Sequence, residues 1–180
     1  MPVRYYQLEG GDTLIQVYTG LGKGKTTAAL GLAIRAAGAG LKVFIAQFVK
    51  GGYYSELNIL KKIKNIKIEQ FGTKCFIRKK PEPKDIKLAE YGLEKIKNII
   101  SRGIYDMVIL DEINIALKLK LIKLDNVISL IKNTPKKIEL ILTGRSAHPI
   151  IVKIADLVSE IKEVKHYFKK GIKARKGIEY

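Results

Sequence analysis

Apolar residues are grouped along this chain in two recurring ways. In Lys42 to Phe48 and Met107 to Leu110 they are nearly continuous over the length of a strand, the pattern of a strand covered on both faces. Thr13 to Tyr18, Ile66 to Gln70, Glu139 to Thr143 and Leu157 to Val164 are further predicted strands. Between them the apolar positions fall three or four apart. Ile86, Ala89, Leu93, Ile96 and Ile100 predict an amphipathic helix over Asp85 to Ser101, ended by Gly103. Thr26 to Ala37 is rich in alanine and leucine and also predicts a helix. Shorter helices are expected to start at Ser55 and Glu56, carrying Leu57, Leu60 and Ile63, and to cover Leu124 to Ile131 and Ile150 to Ala155.

Strand and helix alternate, which predicts an α/β fold with a mainly parallel central sheet and helices on both faces. Ligands of such sheets sit at the carboxyl ends of the strands. Gly72, Pro81 and Pro83 mark Phe71 to Lys84 as a long exposed loop. There is no internal repeat or linker, so 1–180 is expected to be a single domain.

Composition narrows the classes. The longest apolar runs are far short of the ~20 residues that cross a bilayer. Met1 to Asp12 carries Arg4, Glu9 and Asp12 and lacks a signal sequence's apolar stretch, so the expected location is cytoplasmic, with no membrane partner. The lone Cys75 has no partner for a disulfide or a zinc site and reads as a structural thiol. The net charge of +17 is densest over 61–100 and 141–180. Such an excess suits a polyphosphate ligand, an acidic protein or nucleic acid equally, so charge alone does not choose.

Chemistry enters at Thr19-Gly20-Leu21-Gly22-Lys23-Gly24-Lys25-Thr26-Thr27, which lies between a predicted strand and a predicted helix. Glycines there turn backbone N–H groups into an anion nest, Lys25 neutralises phosphate oxygens, and the Thr26 hydroxyl is suited to Mg²⁺. The usual phosphate-loop pattern is one residue longer between its glycines, and Thr19 stands in the first-glycine place. Residues 20–27 are therefore the expected nucleotide-binding set. Tyr105 to Leu110 followed by Asp111 and Glu112 reads as the strand that brings metal-binding carboxylates to the same edge. His148 and His166 lack ligand spacing and are expected to be satisfied or solvent-facing.

Thr19 to Arg35, Gln47 to Gly51, Tyr105 to Asn114, Thr143 to Arg145 and Ala155 to Glu160 together resemble the P-loop type of cob(I)alamin adenosyltransferase. The tail, with Val164-Lys165-His166, Gly171-Ile172-Lys173-Ala174 and Lys176-Gly177-Ile178-Glu179-Tyr180, is similar to that family too. The resemblance implies a RecA-like P-loop fold, ATP as co-substrate with Mg²⁺, a corrinoid as acceptor, and a homodimer. It implies attack by Co(I) on C5′ of ATP with loss of triphosphate. It also implies Thr26 and Glu112 as metal ligands, Asp111 as a metal ligand or its support, Lys23 and Lys25 as phosphate contacts, and Arg145 as a contact to nucleotide or corrinoid. Members carry Gly-Phe-Thr-Trp in the loop over the corrinoid; here the aligned stretch is Cys75-Phe76-Ile77-Arg78, so Phe76 is expected to act there and the second ring is missing. The exposed lysines suit ATP or an acidic flavoprotein reductant. The competing readings are a RecA-like ATPase or nucleic-acid-binding P-loop protein, and a carrier that delivers the adenosylated corrinoid.

Overall fold

The computed structural model describes residues 14–73 and 80–180. Six strands form one sheet: β1 (Ile15–Thr19), β2 (Val43–Phe48), β3 (Ile66–Phe71), β4 (Met107–Asp111), β5 (Glu139–Thr143) and β6 (Leu157–Glu160). Their spatial order is β3-β2-β4-β5-β1-β6, and every pairing is parallel. The helices are α1 (Lys25–Gly38), α2 (Leu57–Leu60), α3 (Pro83–Arg102), α4 (Ile113–Lys118), α5 (Leu124–Lys132) and α6 (Pro149–Ile154), followed by a 3₁₀ turn at Tyr167–Lys170.

Alternation along the strands divides the core in two. Phe44, Ala46, Phe48, Val108, Leu110, Leu140 and Leu142 pack with α3, α4, α5 and α6. The intervening Val43, Ile45, Met107, Ile109 and Ile141 pack with Ala29, Ala33 and Ala36 of α1 and Leu57 and Leu60 of α2. All six residues of β2 are buried, which is why its sequence is continuously apolar. The direction of travel explains the division. From β1 to β2 to β3 the chain moves one way across the sheet, and from β3 to β4, β5 and β6 it moves the other way. Right-handed crossovers then place the two sets of helices on opposite faces. The chain leaves the carboxyl ends of the neighbouring strands β2 and β4 toward opposite faces, an arrangement at which such sheets bind ligands.

Several predicted elements differ in extent. The last strand ends at Glu160, and α2 is a single turn. Helix α3 starts two residues before Asp85, at Pro83, because Asp85 accepts the Glu82 N–H at 2.9 Å and caps the first turn. Helix α4 was not predicted: it follows directly on Glu112, and its six residues are too few for periodicity to show. Among the described residues no helix is long and apolar enough to cross a membrane.

Candidate nucleotide site

The phosphate loop joins β1 to α1 and sits over the carboxyl ends of β1 and β5. Gly24 precedes α1 with φ 123°, a conformation in which a side chain would be strained. Gly20, itself at φ 97°, and Gly22 serve a further need. A Cβ on either would lie 2.4 Å or 2.8 Å from the Ile161 carbonyl oxygen, so these glycines let the segment after β6 lie directly on the loop. The Gly22 N–H is used in that contact, donating to Ile161 O at 2.8 Å. The Lys25 side chain is buried and donates to Gly22 O at 2.7 Å. Burial holds its ammonium below the ordinary lysine range; Glu112 opposes that shift and Arg145 adds to it.

The acidic pair is reached through β5. Strands β1 and β4 are not neighbours, because β5 lies between them. Thr143 of β5 closes the gap: its hydroxyl donates to Asp111 Oδ1 at 2.7 Å and accepts the Glu112 N–H at 3.0 Å. Thr26 also donates to Asp111 Oδ1, at 2.8 Å. The other carboxylate oxygen accepts from Lys50 Nζ at 2.7 Å and from Gln47 Nε2 at 3.3 Å. Asp111 is fully buried and its two oxygens together hold four donors. A carboxylate so filled anchors Thr26.

Glu112 has the left-handed conformation, φ 61° and ψ 21°, which turns its side chain away from the strand and toward the pocket. Burial and the adjacent Asp111 raise its carboxyl above the usual carboxylate range, while Lys50, Lys25 and Arg145 pull it back down. The Thr26 hydroxyl and the Glu112 carboxylate are hard oxygen donors at one edge of a phosphate-binding pocket, the donor chemistry that suits Mg²⁺.

The pocket encloses about 770 Å³. Lys25, Thr26 and Thr27 of α1, Lys50, Tyr54, Glu112 and Arg145 line it, with His166 and the tail Gly177–Tyr180 as its outer wall. The tail is held by Lys23, whose ammonium donates to Tyr167 Oη at 2.9 Å, Ile178 O at 2.9 Å and Glu179 Oε1 at 2.8 Å. Those three bonds use all three ammonium donors. The Arg175 guanidinium stacks on the Tyr167 ring, 4.9 Å from its centroid, and Ser55 Oγ donates to Tyr180 O at 2.9 Å.

The structure thus brings Lys25, Thr26, Thr27, Glu112 and Arg145 to one pocket and places Asp111 beneath it. Gly22, Lys23 and Gly24 also line the pocket, Lys23 with its ammonium bonded to the tail, whereas Leu21 is exposed and, like Gly20, is not among the lining residues. Phe76 and the rest of residues 74–79 lie outside the described residues. His148 and His166 accept the N–H of Ile150 and of Phe168, as expected of satisfied histidines. Sequence reasoning missed Lys50 and the clasp on Lys23, since nothing in their local spacing marks either. A second groove, of about 720 Å³, lies between α4, the α4–α5 turn and Ser146 to Pro149, and holds none of the phosphate-loop residues.

Residues 11–180 match the family described as ATP:corrinoid adenosyltransferase BtuR/CobO/CobP. The corrinoid adenosyltransferase of Escherichia coli K12 is 34% identical over 177 residues, covering 98% of this chain and 90% of that protein. The corrinoid adenosyltransferase of Pseudomonas aeruginosa is 35% identical, covering 93% of this chain and 83% of its own length. That of Salmonella typhimurium is also 35% identical, over 93% and 85%. Among solved structures, a KaiC-like protein of Pyrococcus horikoshii superposes with a TM-score of 0.56 at 17% identity, covering 86% of this chain and 75% of that one. That likeness is one of fold, the RecA-like arrangement of a parallel sheet with a phosphate loop after its first strand.

Proposed function

The chain belongs to the ATP:corrinoid adenosyltransferase family and is a transferase acting on ATP and a corrinoid, and we propose that it moves the 5′-deoxyadenosyl group by direct displacement at C5′. The electron pair of Co(I) forms the cobalt–carbon bond, the C5′–O bond breaks, and triphosphate leaves with that bond's electrons. A Co(I) centre is itself a strong nucleophile, so the work of the protein is to position the two substrates and to stabilise the leaving group.

The observation that carries this reading is the convergence of Lys25, Arg145 and Glu112 on one pocket closed by the tail. Lys25 and Arg145 supply charge to the departing triphosphate. Thr26 and Glu112 would hold magnesium, which when bound supplies further charge neutralisation on the triphosphate. Asp111 works through Thr26, whose hydroxyl it orients. The tail walls one side of the pocket and would slow the escape of ATP before transfer.

The same reading takes 1–180 as one working unit in the cytoplasm and as a homodimer. Supporting the dimer, large apolar side chains are exposed in the tail, at Val164, Phe168 and Ile172, and in the edge strand β6, at Leu157 and Val158. Supporting an acidic flavoprotein as reductant is the net charge of +17.

The test is anaerobic incubation with chemically reduced Co(I)alamin and MgATP. Appearance of a light-sensitive alkylcobalamin spectrum with equimolar triphosphate supports the reading. Phosphate release stimulated by DNA or RNA, with no corrinoid product, overturns it in favour of a RecA-like ATPase.

A further inference from the structure

We propose that Lys50 is a further residue of the triphosphate site, holding Thr26 and Asp111 in register while directing its remaining ammonium N–H at the triphosphate; this rests on the function proposed above. Lys50 follows β2, and the neighbouring strand β4 ends at Asp111; from these two carboxyl ends the chain leaves toward opposite faces of the sheet. Its ammonium is 2.7 Å from Asp111 Oδ2 and 3.3 Å from Thr26 Oγ1. An ammonium has three donors, and these two bonds leave one. Lys50 lines the nucleotide pocket together with Lys25 and Arg145, and 14% of its side chain is exposed.

The backbone is shaped to hold it there. Val49 has φ 61°, a strained conformation for a β-branched residue, of the kind retained where surrounding structure imposes it. On the other side of Lys50, a Cβ on Gly51 would lie 2.0 Å from Gly72 O, and one on Gly72 would lie 2.5 Å from Lys50 N. The two loops therefore press together at Lys50 and leave it little freedom. The Tyr54 ring lies beneath the ammonium, 5.2 Å from centroid to Nζ, and flanks it without using a donor.

The placement is economical of charge. A held cation with one donor not used by protein groups, at the wall of a pocket, is available to an anion that enters it. Triphosphate is the anion that the neighbouring loop is built to receive. Lys50 would contact it from the loop after β2, as a second ammonium beside Lys25.

The probe is inorganic tripolyphosphate, titrated calorimetrically with and without magnesium, with adenosine as the control ligand. Lys50→Met is expected to weaken tripolyphosphate binding at least tenfold and to leave adenosine binding unchanged, while Lys50→Arg stays within about threefold of the unmodified protein. Lys50→Met strands the buried Asp111 charge and endangers folding, so the double variant Lys50→Met/Asp111→Asn, which removes both charges, is measured beside it. Tripolyphosphate binding at the unmodified level in whichever of the two is folded overturns the proposal. Failure of the unmodified protein to adenosylate reduced cobalamin would overturn the functional reading instead, a separate outcome from these affinities.

Discussion

Lys23 in the phosphate loop and Glu179 in the tail form an ion pair at 2.8 Å across 156 positions of sequence. The phosphate loop and the segment that walls its pocket are thereby tied together. Three residues bonded to Glu179 hold its carboxyl far below the usual carboxylate range: Lys23 through its ammonium, Tyr167 through its hydroxyl, and Arg175 through its backbone N–H and guanidinium.

Glu179→Gln is accordingly expected to loosen the tail without unfolding the sheet. The KM for ATP should rise severalfold, the melting temperature should change little, and limited proteolysis should cut the tail sooner. An unchanged KM with a wild-type proteolysis pattern would show that the clasp does not close the pocket.

Lys25→Ala removes a buried cation from the floor of the site. A loss of roughly 10²-fold or more in kcat/KM is expected, on the scale of deleting one preorganised electrostatic contact to a leaving group. Steady-state assay of corrinoid alkylation is the check, with circular dichroism confirming the fold.

Glu112→Gln keeps the shape of the side chain and removes its charge. The magnesium concentration for half-maximal activity should rise on the order of tenfold or more, with the ATP KM at saturating metal much less affected. A metal titration at fixed ATP decides this, and equal metal dependence would remove Glu112 from the ligand set.

Gly92 shows where packing overrides propensity. Alanine there would gain about 1 kcal/mol of helix propensity in α3. Its Cβ, however, would lie 2.5 Å from a ring carbon of Phe71, at the contact between α3 and β3. Overpacking of this kind costs about 1–3 kcal/mol, so Gly92→Ala should lower the denaturation midpoint.

Glu139 tests a pH dependence away from the pocket. Burial raises its carboxyl, Asp156 adds to this, and the Gln16 amide opposes it with a hydrogen bond. A folded pKa above the unfolded one means that the native state binds the proton more tightly, so stability falls as pH rises through that interval. The penalty is fully present at neutral pH. Glu139→Gln should therefore be more heat-stable than the unmodified chain at pH 7, and the advantage should vanish well below the ordinary carboxylate range. Melting curves at the two pH values provide the measurement.

The strands were legible because burial on both faces writes continuous apolar runs such as Val43–Phe48, and α3 because one buried stripe repeats along its 20 residues. The phosphate loop was legible because its glycines, Lys25 and Thr26 are adjacent in sequence and their spacing reflects one local turn. Lys50 was not, since an isolated lysine after a strand has the same local pattern whether it points into solvent or onto Asp111.

By itself, then, the sequence determined the α/β alternation, the phosphate loop, the acidic pair after β4 and, through its likeness to known enzymes, the family. These are properties of neighbouring residues, and local chemistry suffices to state them. Only the tertiary structure decided that β5 stands between β1 and β4 with Thr143 bridging the gap, that Lys23 serves the tail, and that Lys50 reaches Asp111 from 61 positions away. Those relations depend on the order of strands in the sheet and on which side chains share a buried space, and both are settled by packing the whole chain at once.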